Sequence, residues 1–328
     1  MRYHHIRGIN VDLSAITAGG WPAGDAGYGP VTEKECVEAF HAMFDHGVNC
    51  IDTAPDYGNG HSEEVVGKAL QGMDRSKVYV ATKVGASACT LRAVRTGAGY
   101  RRDGRYENVL YECEQSLRRL GTDYIDFYFV HWPDADTPFS ETMEAMKTLK
   151  QQGKIRFVGL SNFHRPDILT CENVCKIDAI QPPFSMLMRG QEELLRWSAG
   201  RGAATFTYGS LGGGILTGAF REPPTLERWD PRNYFYPFFR SPRFEKVMQL
   251  LRVMDGISAE VGRPVSQVAI NWQTAKPFIS TALCGVRNAA EAIENCGAFD
   301  WELTGEQIAA IDAAIAAYLD FDGEDKKY

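Results

Sequence analysis

The strongest constraint on the fold is a rhythm of strand-length apolar runs alternating with helical stripes. The runs are 13–18, 48–53, 78–83, 125–131, 155–160, 178–181, 203–208 and 280–284. The intervening helices have ordinary start and stop signals. One opens with the capping box Thr32-x-x-Glu35, carries Val37, Phe40 and Phe44 on one face and stops at Gly47. Another runs from a Ser62 cap through Val65, Val66 and Ala69 to Leu70, and a third shows the stripe Leu110, Cys113, Leu117 and Leu120. Further helices are expected over 141–150, near 168, over 192–199, in the stretch 243–276 and over 289–295. Strands that are apolar almost throughout are buried on both faces, so the sheet is parallel and covered by helices. Composition does not shift anywhere along the 328 residues. Eight such units therefore point to one closed (β/α)8 TIM barrel over 1–328 rather than two open sheets. Thr304 to Leu319 reads as an extra C-terminal helix outside the barrel.

Several function classes are disfavoured. Thirty-five Lys and Arg against 42 Asp and Glu leave a formal net charge of −7, the wrong sign for a chain whose main partner is nucleic acid. The longest apolar stretch, 308–319, is interrupted by Asp312 and falls short of the ~20 residues that cross a bilayer, so no membrane partner is expected. The first twenty residues have no apolar block suited to an export signal. The eight cysteines are scattered without a C-x-x-C pair, which reads as reduced thiols in the cytoplasm. No metal is expected, since clustered ligand spacings such as H-E-x-x-H are absent, and no G-x-G-x-x-G marks a Rossmann site.

Two stretches break the rhythm, 85–106 and 217–242, and both belong on the C-terminal rim, where barrel enzymes carry their chemistry. Arg92, Arg95, Arg101, Arg102 and Arg105 make the first one basic. Attraction of an anionic carbonyl substrate and ordinary solvated charge are both open readings. Trp229, Tyr234, Phe235, Tyr236, Phe238 and Phe239 crowd the second. They suit a substrate wall, a lid, or a subunit interface in a homo-oligomer.

The polar residues at the strand ends say most about function. Asp52, Lys83, His131, Ser161, Asn162 and Gln181 stand at the C-termini of successive runs, and barrel closure gathers those ends around one mouth. Charged groups at the ends of apolar strands need partners, so Asp52 and Lys83 are expected to pair. Tyr57 follows Asp52 in a glycine-bracketed turn, from which its hydroxyl can reach the same mouth. An adjacent ammonium favours phenolate and would draw Tyr57 toward the working range of a proton donor, which points to carbonyl chemistry.

These residues lie in the segments CIDTAPDYGNGHSEEVVGKAL, VATKV, FVHWPD, GKIRFVGLSNF, YGSLGGGILTG and GVRNAAEAIENCGAFDWELT. In order and spacing they strongly resemble the aldo-keto reductases over almost the whole chain. The resemblance implies a barrel that binds a nicotinamide cofactor without a Rossmann fold. It implies Tyr57 as general acid, Asp52 and Lys83 as the pair that tunes it, and His131 as the residue orienting the substrate carbonyl, with Trp21 and Trp132 beside the substrate. For the cofactor it implies Gly20, Trp21, Asp52, Ser161, Asn162 and Gln181 near the nicotinamide, with Tyr208 stacking on the ring. Gly209, Leu211, Gly213 and Arg240 fall near the pyrophosphate, and Gly285, Arg287, Glu291, Glu294 and Asn295 near the adenosine. Gly209-Ser210 departs from the Ser-Pro usual there. Arg287 favours NADP and Glu291 opposes it, so NADP is expected over NAD. The implied activity is hydride transfer to or from a small aldehyde, ketone or sugar. The competing reading is a cofactor-binding regulatory subunit with little turnover, as the potassium-channel β subunits of the same superfamily illustrate.

Overall fold

The structure, a computed structural model, describes residues 1–24, 31–97, 99–228, 230 and 232–321. Two short strands, β1 (Tyr3–Ile6) and β2 (Val11–Ser14), pair antiparallel ahead of the barrel. The barrel begins with β3 (Ile16–Gly19), β4 (Cys50–Asp52) and β5 (Tyr79–Val84). A ribbon of β6 (Ala86–Ser87) and β7 (Arg101–Arg102) intervenes, followed by β8 (Ile125–Val130), β9 (Ile155–Ser161), β10 (Ala179–Gln181), β11 (Ala204–Thr207) and β12 (Thr281–Gly285). The eight barrel strands close in chain order and every neighbouring pair is parallel. Register sets the functional level: Asp52 lies beside Gly19 on one side and Ala81 on the other, and Gln181 lies beside Ser161.

The outer helices are α1 (Glu33–Asp45), α2 (His61–Leu70), α3 (Leu91–Thr96), α4 (Tyr106–Leu120), α5 (Phe139–Gln151) and α6 (Arg165–Glu172). They continue with α7 (Glu192–Gly200), α8 (Arg232–Phe235), α9 (Arg243–Val261), α10 (Val265–Thr274), α11 (Ala289–Cys296) and α12 (Gly305–Tyr318). The expected capping box of Thr32 and Glu35 is present at α1, and α12 is the expected extra helix. The outer layer of the core packs Phe40, Val66, Met146 and Leu250 against the sheet, while Phe127, Phe129 and Phe206 fill the barrel interior. Gly159 makes that filling possible, because a Cβ there would lie 2.3 Å from the Phe129 ring.

Three sequence expectations change. The run 13–18 is two strands, broken at Ala15: Ile6, Val11 and Leu13 turn into the barrel interior with Cys50 and Phe127, which draws the first part of the run away from β3. Asn49 accepts from the Ser14 amide at 2.8 Å and so satisfies the interrupted ladder. Ser62 is not the cap of α2. Gly60, at φ 95°, holds that position, and the Ser62 hydroxyl is buried, donating to the Gly20 carbonyl at 2.7 Å. The stretch 243–276 holds helices as expected, two of them, divided where Gly262 adopts φ 65° and Pro264 follows. Finally, 85–106 holds a ribbon and a helix, and 217–242 holds α8 and a 3₁₀ turn whose Phe238 and Phe239 are buried. Trp229 lies outside the described residues.

Candidate active site

The strand ends converge as expected. Lys83 Nζ donates to Asp52 Oδ1 at 2.6 Å, to the Thr53 carbonyl at 2.9 Å and to the Tyr57 hydroxyl at 3.1 Å. Three acceptors match the three protons of an ammonium, so this geometry suits charged Lys83. Lys83 and Asp52 are each about 1% exposed. Burial pushes the lysine down and the carboxyl up, and their mutual contact opposes both shifts. Gln181 Nε2 donates to the second Asp52 oxygen at 2.8 Å, so the carboxylate is held from both sides.

Aromatic contacts frame this cluster. The Trp21 ring stacks on Tyr57 with centroids 5.8 Å apart, and Phe235 from α8 meets Trp21 edge-on at 5.8 Å. His131 stands edge-on to Tyr57 and stacked with Trp132, each at 6.2 Å. Burial first, then the charges of Lys83 and Arg102, push its imidazole well below the usual histidine range. His131 is therefore neutral at pH 7, with its buried Nδ1 lacking a partner among the described residues.

Around the same mouth, Asn162 Nδ2 donates to the His131 carbonyl at 3.0 Å and to Ser161 Oγ at 3.1 Å, while Asn162 Oδ1 accepts from the Tyr208 hydroxyl at 2.8 Å. Asn162 adopts φ 63°, a left-handed conformation that asparagine tolerates better than most residues. Ser161 Oγ donates to the Gln181 carbonyl at 2.8 Å. Gly20 sits against the Asp52 carbonyl, which accepts from its amide at 2.7 Å.

Beyond Tyr208, Gly209, Gly212, Gly213 and Gly214 all have positive φ. This run brings backbone close to whatever lies over it, and a Cβ on Gly213 would lie 2.8 Å from the Tyr236 ring. Leu211 is half-buried within it. Arg240 donates to Asn233 at 3.1 Å. Gly285 ends β12 level with Gly19, and Arg287 follows it. The Arg287 guanidinium is bonded to Glu291, with Nε to Oε1 at 3.0 Å. Glu294 accepts from Ser266 on α10, and Asn295 is buried in α11.

A profile of the aldo/keto reductase family matches residues 15–316. The chain belongs to the aldo-keto reductase family. It is 37% identical over 309 residues to the aldo-keto reductase YhdN of Bacillus subtilis (strain 168), a match covering 93% of this chain and 91% of that protein. It is 30% identical over 318 residues to a putative voltage-gated potassium channel subunit beta of Schizosaccharomyces pombe (strain 972 / ATCC 24843), covering 92% and 90%. Among solved structures, the glycerol dehydrogenase AKR11B4 from Gluconobacter oxydans superposes with a TM-score of 0.86 at 33% identity, covering 97% of this chain and 96% of that one. This aldo-keto reductase is an NAD(P)-dependent oxidoreductase.

The residues present fit such a cofactor. Ser161, Asn162 and Gln181 offer amide and hydroxyl groups beside the Lys83 cluster, Tyr208 offers a ring face, and the positive-φ glycine run suits a pyrophosphate. Asp56 and the buried pair of Asn108 and Glu112 were not singled out from the sequence. Asp56 had a signal in standing next to Tyr57, and burial pushes it up to about 6. Phe235 was visible only as one of several loop aromatics. Among the described residues no helix is long and apolar enough to cross a membrane.

Proposed function

We propose that this aldo-keto reductase reduces a small aldehyde, ketone or sugar, with Tyr57 as the proton donor and NADPH preferred over NADH as the hydride source. The observation that carries the reading is the Lys83 ammonium bonded at once to Asp52, the Thr53 carbonyl and the Tyr57 hydroxyl. The nicotinamide, when bound, supplies the hydride that reaches the carbonyl carbon. Tyr57 gives its proton to the oxygen of the developing alkoxide, and the ammonium at 3.1 Å stabilises the phenolate left behind. Neutral His131 orients the carbonyl oxygen without competing for that proton. Trp21 and Trp132 bound the substrate, and Gln181 keeps Asp52 turned toward Lys83.

Arg287 favours a 2′-phosphate, but its ion pair with Glu291 must open or share the guanidinium for that contact to form. The preference for NADP is accordingly modest.

The test is Tyr57→Phe. Cofactor affinity, measured by fluorescence titration, should stay within about twofold while turnover with a carbonyl panel falls by ~10²-fold or more. Retained turnover would remove Tyr57 from the role. The similarity to a channel β subunit favours one alternative, a cofactor-binding regulatory subunit. That reading requires tight cofactor binding with almost no NADPH consumption by the unmutated protein across the same panel.

A further inference from the structure

The five rim arginines are not equivalent once folded. Arg92 pairs with Asp136, Arg95 with Glu107, and Arg105 with both Asp103 and Glu107. Arg101 and Arg102 have no carboxylate partner among the described residues. They also differ from each other. Arg101 donates to the neighbouring Tyr100 carbonyl, whereas Arg102 lies 5.2 Å over the ring of Trp132, which stacks on His131. Its charge is felt at His131, where it opposes protonation.

The placement of Arg102 is built from below. It pairs with Ala86 across the β6–β7 ribbon, and one guanidinium nitrogen donates to the Pro133 carbonyl at 3.3 Å. Both ends of the segment that carries it are tied to one buried pair on α4. Glu112 accepts from the Gly85 amide at 3.2 Å, and Asn108 donates to Glu112 and to the Asp103 carbonyl, each at 2.6 Å. A cation held by buried anchors beside the substrate-side tryptophan, without a carboxylate of its own, is arranged for an anion that arrives with the substrate.

We propose that Arg102 is the anion-binding residue of the substrate site, and that the preferred substrates are carbonyl compounds bearing a carboxylate. The inference rests on the reductase reading above and narrows its substrate class. A diffuse basic field does not account for the same selectivity. The chain is acidic overall, and Arg92, Arg95 and Arg105 in the same segment are paired with carboxylates. Recognition therefore requires contact with Arg102 itself.

The probes are 4-carboxybenzaldehyde and its neutral amide, 4-formylbenzamide, titrated calorimetrically into the protein saturated with NADP⁺, which has no hydride to give. Arg102 is exposed, so Arg102→Met leaves the core intact. Solvent around the guanidinium limits the expected advantage of the acid to about tenfold at low salt. That advantage should fall below twofold in Arg102→Met and shrink in 0.5 M NaCl, while Arg101→Met retains it (salt concentration chosen to shorten the Debye length well below its ~10 Å value at 0.1 M). Equal binding of acid and amide by the unmutated protein overturns the proposal. So does an advantage that survives Arg102→Met or that Arg101→Met removes equally. Turnover with NADPH is read separately: an acid advantage without reduction of either aldehyde supports the anion site and counts against the reductase reading.

Discussion

Replacing Asp52 by Asn removes the charge that keeps the Lys83 ammonium inside the barrel while preserving side-chain volume. The two groups are 2.6 Å apart and almost inaccessible to water. Removing one charge of a buried pair costs about 3–5 kcal/mol, because the other is left uncompensated. The Thr53 carbonyl and Tyr57 hydroxyl remain as acceptors for Nζ, which places the loss near the lower end, about 3 kcal/mol. An amide nitrogen facing Gln181 Nε2, which now donates at 2.8 Å, would also set donor against donor until one amide turns over. The dependence on pH gives the signature. Burial already lowers the Lys83 pKa, and Asp52 opposes that shift, so the variant's lysine falls further. Between the lowered folded value and the unfolded value near ~10.4, the unfolded chain binds more protons, and stability rises with pH by up to about 1.4 kcal/mol per unit. Urea unfolding followed by tryptophan fluorescence should show Asp52→Asn about 3 kcal/mol less stable than the unmutated protein at pH 7, with much of the gap closed by pH ~9.5. An equal gap at both pH values would refute the claim that Asp52 holds Lys83 in its charged form.

Two further outcomes follow from a pairing and a burial seen only in the fold. Glu291→Gln should release Arg287 and widen the preference for NADP over NAD by roughly tenfold, while Arg287→Ala should abolish it, as for the loss of one charge-assisted phosphate contact. Dissociation constants for both cofactors decide this, and an NAD preference that persists in Glu291→Gln would show that neither residue governs the choice. Asp56 is raised by burial to about 6, above its unfolded value of ~3.9, so its contribution to stability is present below ~3.9 and lost as pH rises through about 6. Asp56→Asn should therefore match the unmutated protein near pH 4 and exceed it by about 1–2 kcal/mol near pH 7.5 in denaturant titrations. The same difference at both pH values would remove Asp56 as the titrating group.

What was legible in the sequence depended on how far apart the partners are. Strand order followed from apolar runs, because a strand buried on both faces carries apolar side chains and small hydroxyls such as Thr82 and Thr205 along its length and keeps its charged groups near its ends. For the same reason Asp52, Lys83, His131 and Gln181 stood out: each is a polar group interrupting a run that packing would otherwise keep apolar. Which atoms they bond was partly legible, since charge alone required Asp52 to pair with Lys83, but nothing local announced that the Thr53 carbonyl would complete the ammonium's shell. Local signals also misled where a distant group competed for the same atom. Ser62 has the chemistry of a cap, yet its hydroxyl serves Gly20, forty-two residues earlier in sequence, and Gly60 takes the cap position because a left-handed residue is needed there. The rim arginines make the point most clearly. Counting charge over 85–106 gives one basic segment, whereas Arg105 is neutralised by Asp103 two residues away and Arg92 by Asp136 on the next rim segment. Arg102 escapes that neutralisation because the antiparallel pairing of β6 and β7, tied down by Asn108 and Glu112, turns it toward Trp132 instead. Its availability to a substrate is thus a property of the fold around the segment, and no composition of the segment itself would distinguish it from its neighbours.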